Sequence, residues 1–306
     1  MLLQQILVMA LYMFFAFLAV KCGILKKEDS SPIASLVLFI ISPALIFDAF
    51  QMPFSVDKMK GFLLALLAST LMHVLFLVFI YLFGKSVYLN DIERASVIYT
   101  NCGNLLVPLI GAILGKEYVL YCCAFMTVQT VVLWTHGAYI LGGREAVSIK
   151  KIITNPNVIA MIFGLVFFFT GLRLPMIPAA AIEKTGACIA PVSMFVIGIL
   201  IASADLKEVF SRKKSWMICL IRLIIIPLLT ILILKLTGIP YLLEDGASIL
   251  YVSFLASAAP TAVNVTQLAD LYGKDSVQAG SINIMSVFLC IITMPLMTAV
   301  YQWAFL

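Results

Sequence analysis

Apolar runs of membrane-spanning length recur along the chain, separated by short polar connections. A helix needs about 20 apolar residues to cross about 30 Å of hydrocarbon. Ten stretches approach or exceed that length: residues 2–20, 32–50, 61–83, 94–114, 118–141, 157–172, 186–204, 216–236, 247–271 and 276–303. The pattern predicts an all-α membrane protein of ten transmembrane helices, with no soluble domain between them. Two of the runs are unexpectedly polar inside. The fourth contains NCGNLLVPLI, residues 101–110, and the ninth contains APTAVNVTQ, residues 259–267.

Composition agrees with the pattern. Of 306 residues, 63% are hydrophobic and 11% charged, against roughly 25% charged in soluble domains. Mean hydropathy is +1.12. The net charge of +5 is spread over short loops, so it reads as topology and not as nucleic-acid binding. The seven cysteines show no C-x-x-C spacing and read as small hydrophobes. The first run lacks a basic leader and an A-x-A cleavage pattern, so it is expected to remain as a first helix.

Most of the Lys and Arg residues fall in connections of one parity. These are Lys21, Lys26 and Lys27; Lys85 and Arg94; Arg144, Lys150 and Lys151; Lys207 and Arg212 to Lys214; and Lys274. Basic connections face the cytoplasm. The expectation is a multi-pass protein of the cytoplasmic membrane with both termini outside.

The chain also matches itself. ASVIYTNCGNLLVP (95–108) lies on ASILYVSFLASAAP (247–260) without a gap. Downstream LGKEYV (114–119) matches YGKDSV (272–277), and upstream SPALIF (42–47) matches APVSMF (190–195). Residues 1–145 and 146–306 are therefore read as two five-helix repeats. Five is odd, so the second repeat enters the membrane inverted, an arrangement used by secondary transporters.

The matched prolines carry the chemistry. Proline lacks an N–H and clashes with the carbonyl four residues back, and it suits the first position of a helix. Pro108 and Pro260 are expected to break the fourth and ninth helices, each second half-helix starting at its proline. Exposed N–H groups there would attract an anion, and freed carbonyls a cation. Broken backbone is tolerated at membrane depth only where it lines a cavity or is buried in protein. Asn101 and Asn104 before the first break, and Thr261, Asn264 and Gln267 after the second, are the candidate substrate ligands, because amides and hydroxyls donate without adding charge. The alternative is a closed kinked helix whose Asn and Thr residues bind neighbouring helices. Pro43 and Pro191 form a second matched pair that could line the crossing or only improve packing. Gln129 and Asn283 could line the site or bridge helices. Arg222 is expected to snorkel towards the cytoplasmic side, His73 and His136 to be neutral hydrogen-bonding groups, and Asp48 and Asp270 to be wetted at helix ends.

With these motifs in hand, the chain resembles the auxin efflux carrier family of membrane transporters, whose bacterial members are described as malate or malonate permeases. NCGNLLVP and SAAPTAVNVTQLADLYGKD carry the resemblance. It implies that the fourth and ninth helices cross at Pro108 and Pro260, that helices 1, 2, 6 and 7 form a scaffold, and that helices 3–5 and 8–10 form a moving bundle. It also implies that Asn101 helps hold a substrate carboxylate. Plant members carry a long central loop, which here shrinks to about residues 142–156.

The sequence thus points to a secondary transporter of small organic anions, mono- or dicarboxylates, working by alternating access. A sodium-coupled symporter of the bile-acid carrier type is the alternative. Enzyme motifs such as H-E-x-x-H and G-x-S-x-G are missing from the sequence, and no catalytic, metal or cofactor site is expected. A coupling ion would be H+ or Na+. The expected partners are the organic anion, the lipid bilayer and, as a candidate, a second copy of the chain.

Overall fold

The computed structural model describes residues 2–306. In chain order the main helices are α1 (Leu2–Lys21), α2 (Lys27–Ala49), α3 (Val56–Phe83), α4 (Asp91–Ile98), α5 (Cys102–Ile113) and α6 (Lys116–Gly142). There follow α7 (Arg144–Thr170, continuous over Pro156–Thr170), α8 (Met176–Ser203), α9 (Lys213–Thr237), α10 (Gly246–Ala258), α11 (Val263–Leu271) and α12 (Ser276–Phe305). Among the described residues, eight of these are long and apolar enough to cross a membrane. The fourth and ninth predicted spans are each split in two, into α4 with α5 and α10 with α11.

Prolines act differently from the sequence expectation. α5 begins at Cys102, not at Pro108. A π-helical turn, Cys102–Leu106, precedes the proline, which sits inside the helix that follows. The same device recurs before Pro43 (turn Val37–Ile41) and before Pro227 (turn Ile221–Ile225). A π turn widens the helix by one residue, which gives the proline ring room where the preceding carbonyl would otherwise clash. Pro260 lies in the extended link between α10 and α11, three residues before α11 begins. The gapless match of Pro108 with Pro260 therefore does not superpose the two interruptions. Pro191 sits in the first turn after Cys188 interrupts α8.

The chain groups into two compact units, each drawn from three stretches. The first comprises Met1–Lys60, Gly103–Cys123 and Ile153–Ala204. Within it α1 buries Ile6, Met9, Met13 and Ala16 and exposes Leu3, Leu7, Leu11, Phe14 and Leu18. The exposed row suits lipid. The buried row meets α8 at Gly198, where a Cβ would lie 2.2 Å from the Met13 carbonyl oxygen. Close contact through small residues is how helices associate in lipid, where no hydrophobic force drives them together. Lys21 Nζ donates to the Ala202 carbonyl at 3.1 Å, closing the end of this pair. Pro108 frees the Asn104 carbonyl, which accepts from Ser193 Oγ at 2.8 Å. Asp48 is not a wetted end group: it is buried and pairs with Lys116 at 2.7 Å.

The second unit comprises Gly61–Cys102, Ala124–Ile152 and Asp205–Leu306. α4 starts on an Asn90 cap that accepts from Glu93 N, while the Glu93 carboxylate accepts from Asn90 N, each backbone donor thereby gaining an acceptor. The buried Glu93 also pairs with Lys214 at 2.8 Å. The link that follows α4, as far as Cys102, and the whole of the link between α10 and α11 lie in this unit.

Candidate functional site: two interrupted helices joined by their backbones

A helix that stops in the middle of an apolar segment must find new partners for the backbone groups it frees, because burying them unpaired is costly. The two interruptions of the second unit solve this mutually. Tyr99 leaves α4 in an extended conformation, and Ala259 and Ala262 are extended around Pro260. Thr100 and Thr261 form an antiparallel β-bridge. Asn101 N donates to the Pro260 carbonyl at 2.8 Å, and Ala262 N donates to the Tyr99 carbonyl at 3.0 Å.

Side chains complete each link. The Gln129 carbonyl oxygen accepts from Thr100 N at 2.9 Å, and its amide Nε2 donates back to Thr100 O at 2.8 Å. One amide thus mimics a neighbouring strand. The opposite link is held by α12. Asn283 Nδ2 donates to Thr261 O at 2.6 Å, and Thr261 N donates to Ser286 Oγ at 3.1 Å. Ser286 Oγ in turn donates to the Asn283 carbonyl. Thr261 Oγ1 donates to Ser96 O at 3.1 Å. Gln129, Asn283 and Thr261 therefore have their hydrogen bonds within the crossing. Tyr99 is fixed at its far end, its hydroxyl against the Val132 carbonyl and His136 Nδ1 at 3.1 and 2.9 Å. Gly137 faces its ring, and a Cβ there would sit 3.0 Å from ring atoms.

Val97 O and Ser257 O are two of the carbonyls that the interruptions free from the helix ladder. In an unbroken helix Asn101 N would bond Val97 O, and Thr261 N would bond Ser257 O; both donors are engaged elsewhere. Arg222 answers both. Its Nη2 donates to Ser257 O at 2.7 Å and its Nη1 approaches Val97 O at 3.5 Å. It is fully buried, so it does not snorkel. The C-terminal ends of α4 and α10 carry the negative ends of their helix dipoles, and these hold the guanidinium in place.

Asn101 differs from its neighbours. It is 4% exposed, yet its Nδ2 has no hydrogen-bond partner in the protein. The Oγ atoms of Thr100 and Ser96 are likewise buried without partners. Unspent donors and acceptors next to a backbone crossing are groups able to receive a small polar ligand. Asn264 and Gln267 lie on the exposed face of α11, one turn apart, while Thr266 is half-buried. Asn104 and Pro108, in the first unit, are half-buried, as are Pro43 and Pro191. Thus Asn101, Pro260 and Thr261 meet at the backbone crossing, with Gln129 and Asn283 as its clamps, and Asn264 and Gln267 follow on α11. His73 lies deep in α3, its Nδ1 2.8 Å from Ser69 O, and Ser69 Oγ is 3.4 Å from Ser253 Oγ on α10.

Sequence reasoning did not find Ser96, Ser286 or the role of Arg222. Ser286 had a signal, since it stands about one helical turn from Asn283 inside the apolar run IMSVFLCII. Arg222 had one as well, as the single charge inside ICLIRLIIIP.

No curated protein matches this chain. A family model described as membrane transport protein matches residues 1–148 and 144–298. The two matched stretches meet within a few residues of the division the internal repeat suggests, and together they cover nearly the whole chain. With its apolar helices and its interrupted segments, this chain belongs to the membrane transport protein family, the family of the auxin efflux carriers that its motifs resemble.

Proposed function

We propose that this membrane transport protein is a secondary transporter of small organic anions, mono- or dicarboxylates, that binds its substrate at the crossing of the two interrupted segments. The observation that carries this reading is the buried, unpartnered Asn101 amide beside the Thr100–Thr261 bridge. An amide N–H donates to a carboxylate without placing a second full charge in a medium of low dielectric. Hydrogen bonds to an ionised group are about twice as strong as neutral ones, so the substrate's own charge makes good use of such a donor. Asn264 and Gln267 extend the same chemistry along α11, and Pro260 shapes the backbone that presents it.

In this reading the spans form two inverted five-helix repeats in the cytoplasmic membrane, with both termini outside. Access alternates as the bundle of spans 3–5 and 8–10 moves against spans 1, 2, 6 and 7. Malate and malonate are candidate substrates within this class. The test is a thermal-unfolding screen of the purified protein against a panel of carboxylates, followed by uptake of each hit into proteoliposomes. A ligand that binds the native state raises its Tm. Saturable uptake with counter-flow is the expected outcome. A panel in which no carboxylate binds or moves would refute the reading.

A further inference from the structure

Arg222 has an unusual environment for a charge. The described ion pairs join Lys and Arg residues to carboxylates elsewhere, and none of them includes Arg222. Its Nε has no hydrogen-bond partner. A guanidinium removed from water with no carboxylate beside it is costly unless backbone fields offset the charge. Here they do. Ser257 O and Val97 O are among the carbonyls freed by the two interruptions, and they lie in the last turns of α10 and α4. Each helix end carries up to about half a negative charge, so the pair supplies about one charge of opposite sign.

Freed carbonyls at the C-terminal ends of interrupted helices are also where membrane transporters coordinate their coupling cations. One place cannot serve both. We infer that Arg222 is a resident cation that occupies the position of a coupling metal ion, so that the crossing is complete without Na+. This rests on the crossing being the transport site. It goes further by assigning the charge balance: the two C-terminal ends are neutralised from within the chain. The unpartnered Asn101 amide remains for the anion. A metal ion would bring its charge and take it away in each cycle, whereas the arginine travels with the protein.

The test is thermal unfolding of the purified full-length protein in NaCl and in choline chloride at equal ionic strength, with no carboxylate present. Wild type is expected to unfold at the same temperature in both. Arg222→Ala should lower Tm by about 5 °C or more, and millimolar methylguanidinium or Na+ should restore part of the loss, while neither affects wild type. Saturable stabilisation of wild type by Na+ over choline overturns the inference, as does an Arg222→Ala protein that unfolds like wild type and ignores both cations. If Arg222→Ala yields no folded protein, the wild-type comparison decides alone. No arm involves substrate, so a failed carboxylate screen would count against the transport reading and leave this result standing.

Discussion

Gln129 shows how much one side chain can hold at a membrane crossing. Its amide satisfies both the N–H and the carbonyl of Thr100. Gln129→Leu keeps the volume roughly and removes both bonds, leaving two buried backbone groups unpaired at about 1–3 kcal/mol each. The expected result is a marked fall in Tm together with loss of uptake. Asn101→Ala removes a donor that bonds nothing in the protein, so Tm should stay within a few degrees while uptake is abolished. Measuring both quantities on both variants separates a residue that builds the crossing from one that serves the ligand; normal uptake by Asn101→Ala would remove Asn101 from the site. The sequence marked these amides as polar groups in apolar runs. It could not say which would be spent on backbone, because that depends on partners 22 to 29 positions away. Arg222 was misjudged for a related reason: its distance along α9 from the basic loop suggested an escape to water, and the carbonyls that retain it come from two other helices.

Among the elements, the prolines teach a different lesson. Each was legible as a place where a helix could not run on unchanged. The form of the change was not, because a proline can be absorbed by a π turn or can sit in an extended link, and local sequence favours neither. Pro108 takes the first course and Pro260 the second. The interruption between α4 and α5 is held by the bridge from Thr100 to Thr261, eight residues before Pro108. Pro108→Ala should therefore leave the interruption in place. Hydrogen exchange at the amides of Asn101 and Ala262 should remain as slow as in wild type, and faster exchange at both would show that the proline is needed after all. Helix packing gives a complementary prediction. Gly198 has no room for a side chain against the Met13 carbonyl, and Gly198→Val should cost about 1–3 kcal/mol through overpacking, seen as a lower Tm with no ligand present.

At the scale of the whole molecule, composition and periodicity were enough to reveal a multi-pass membrane protein, since apolar length is a direct consequence of bilayer thickness. Spatial grouping was harder to read. Each compact unit gathers three separate stretches of chain, and one boundary falls inside α5, between Cys102 and Gly103. Repeats follow chain order, while compact units follow contacts that form only after folding. Orientation is open to a direct check. If both termini are outside, Cys22, exposed at the end of α1, faces the cytoplasm. In a Cys188→Ser background, a membrane-impermeant maleimide should leave Cys22 unmodified in intact cells and modify it in inside-out vesicles. The reverse pattern would turn the topology over.

The bridge at Thr100 and Thr261 has a mechanical corollary. Its two N–H···O contacts are made by main chain alone, shielded from water, so no solvent molecule stands ready to replace either partner if the links separate. In the alternating-access cycle proposed above, these two segments should ride together as a single rigid piece. The bending must then be done elsewhere, and the widened turns beside Pro43, Pro108 and Pro227 are the natural places to look for joints.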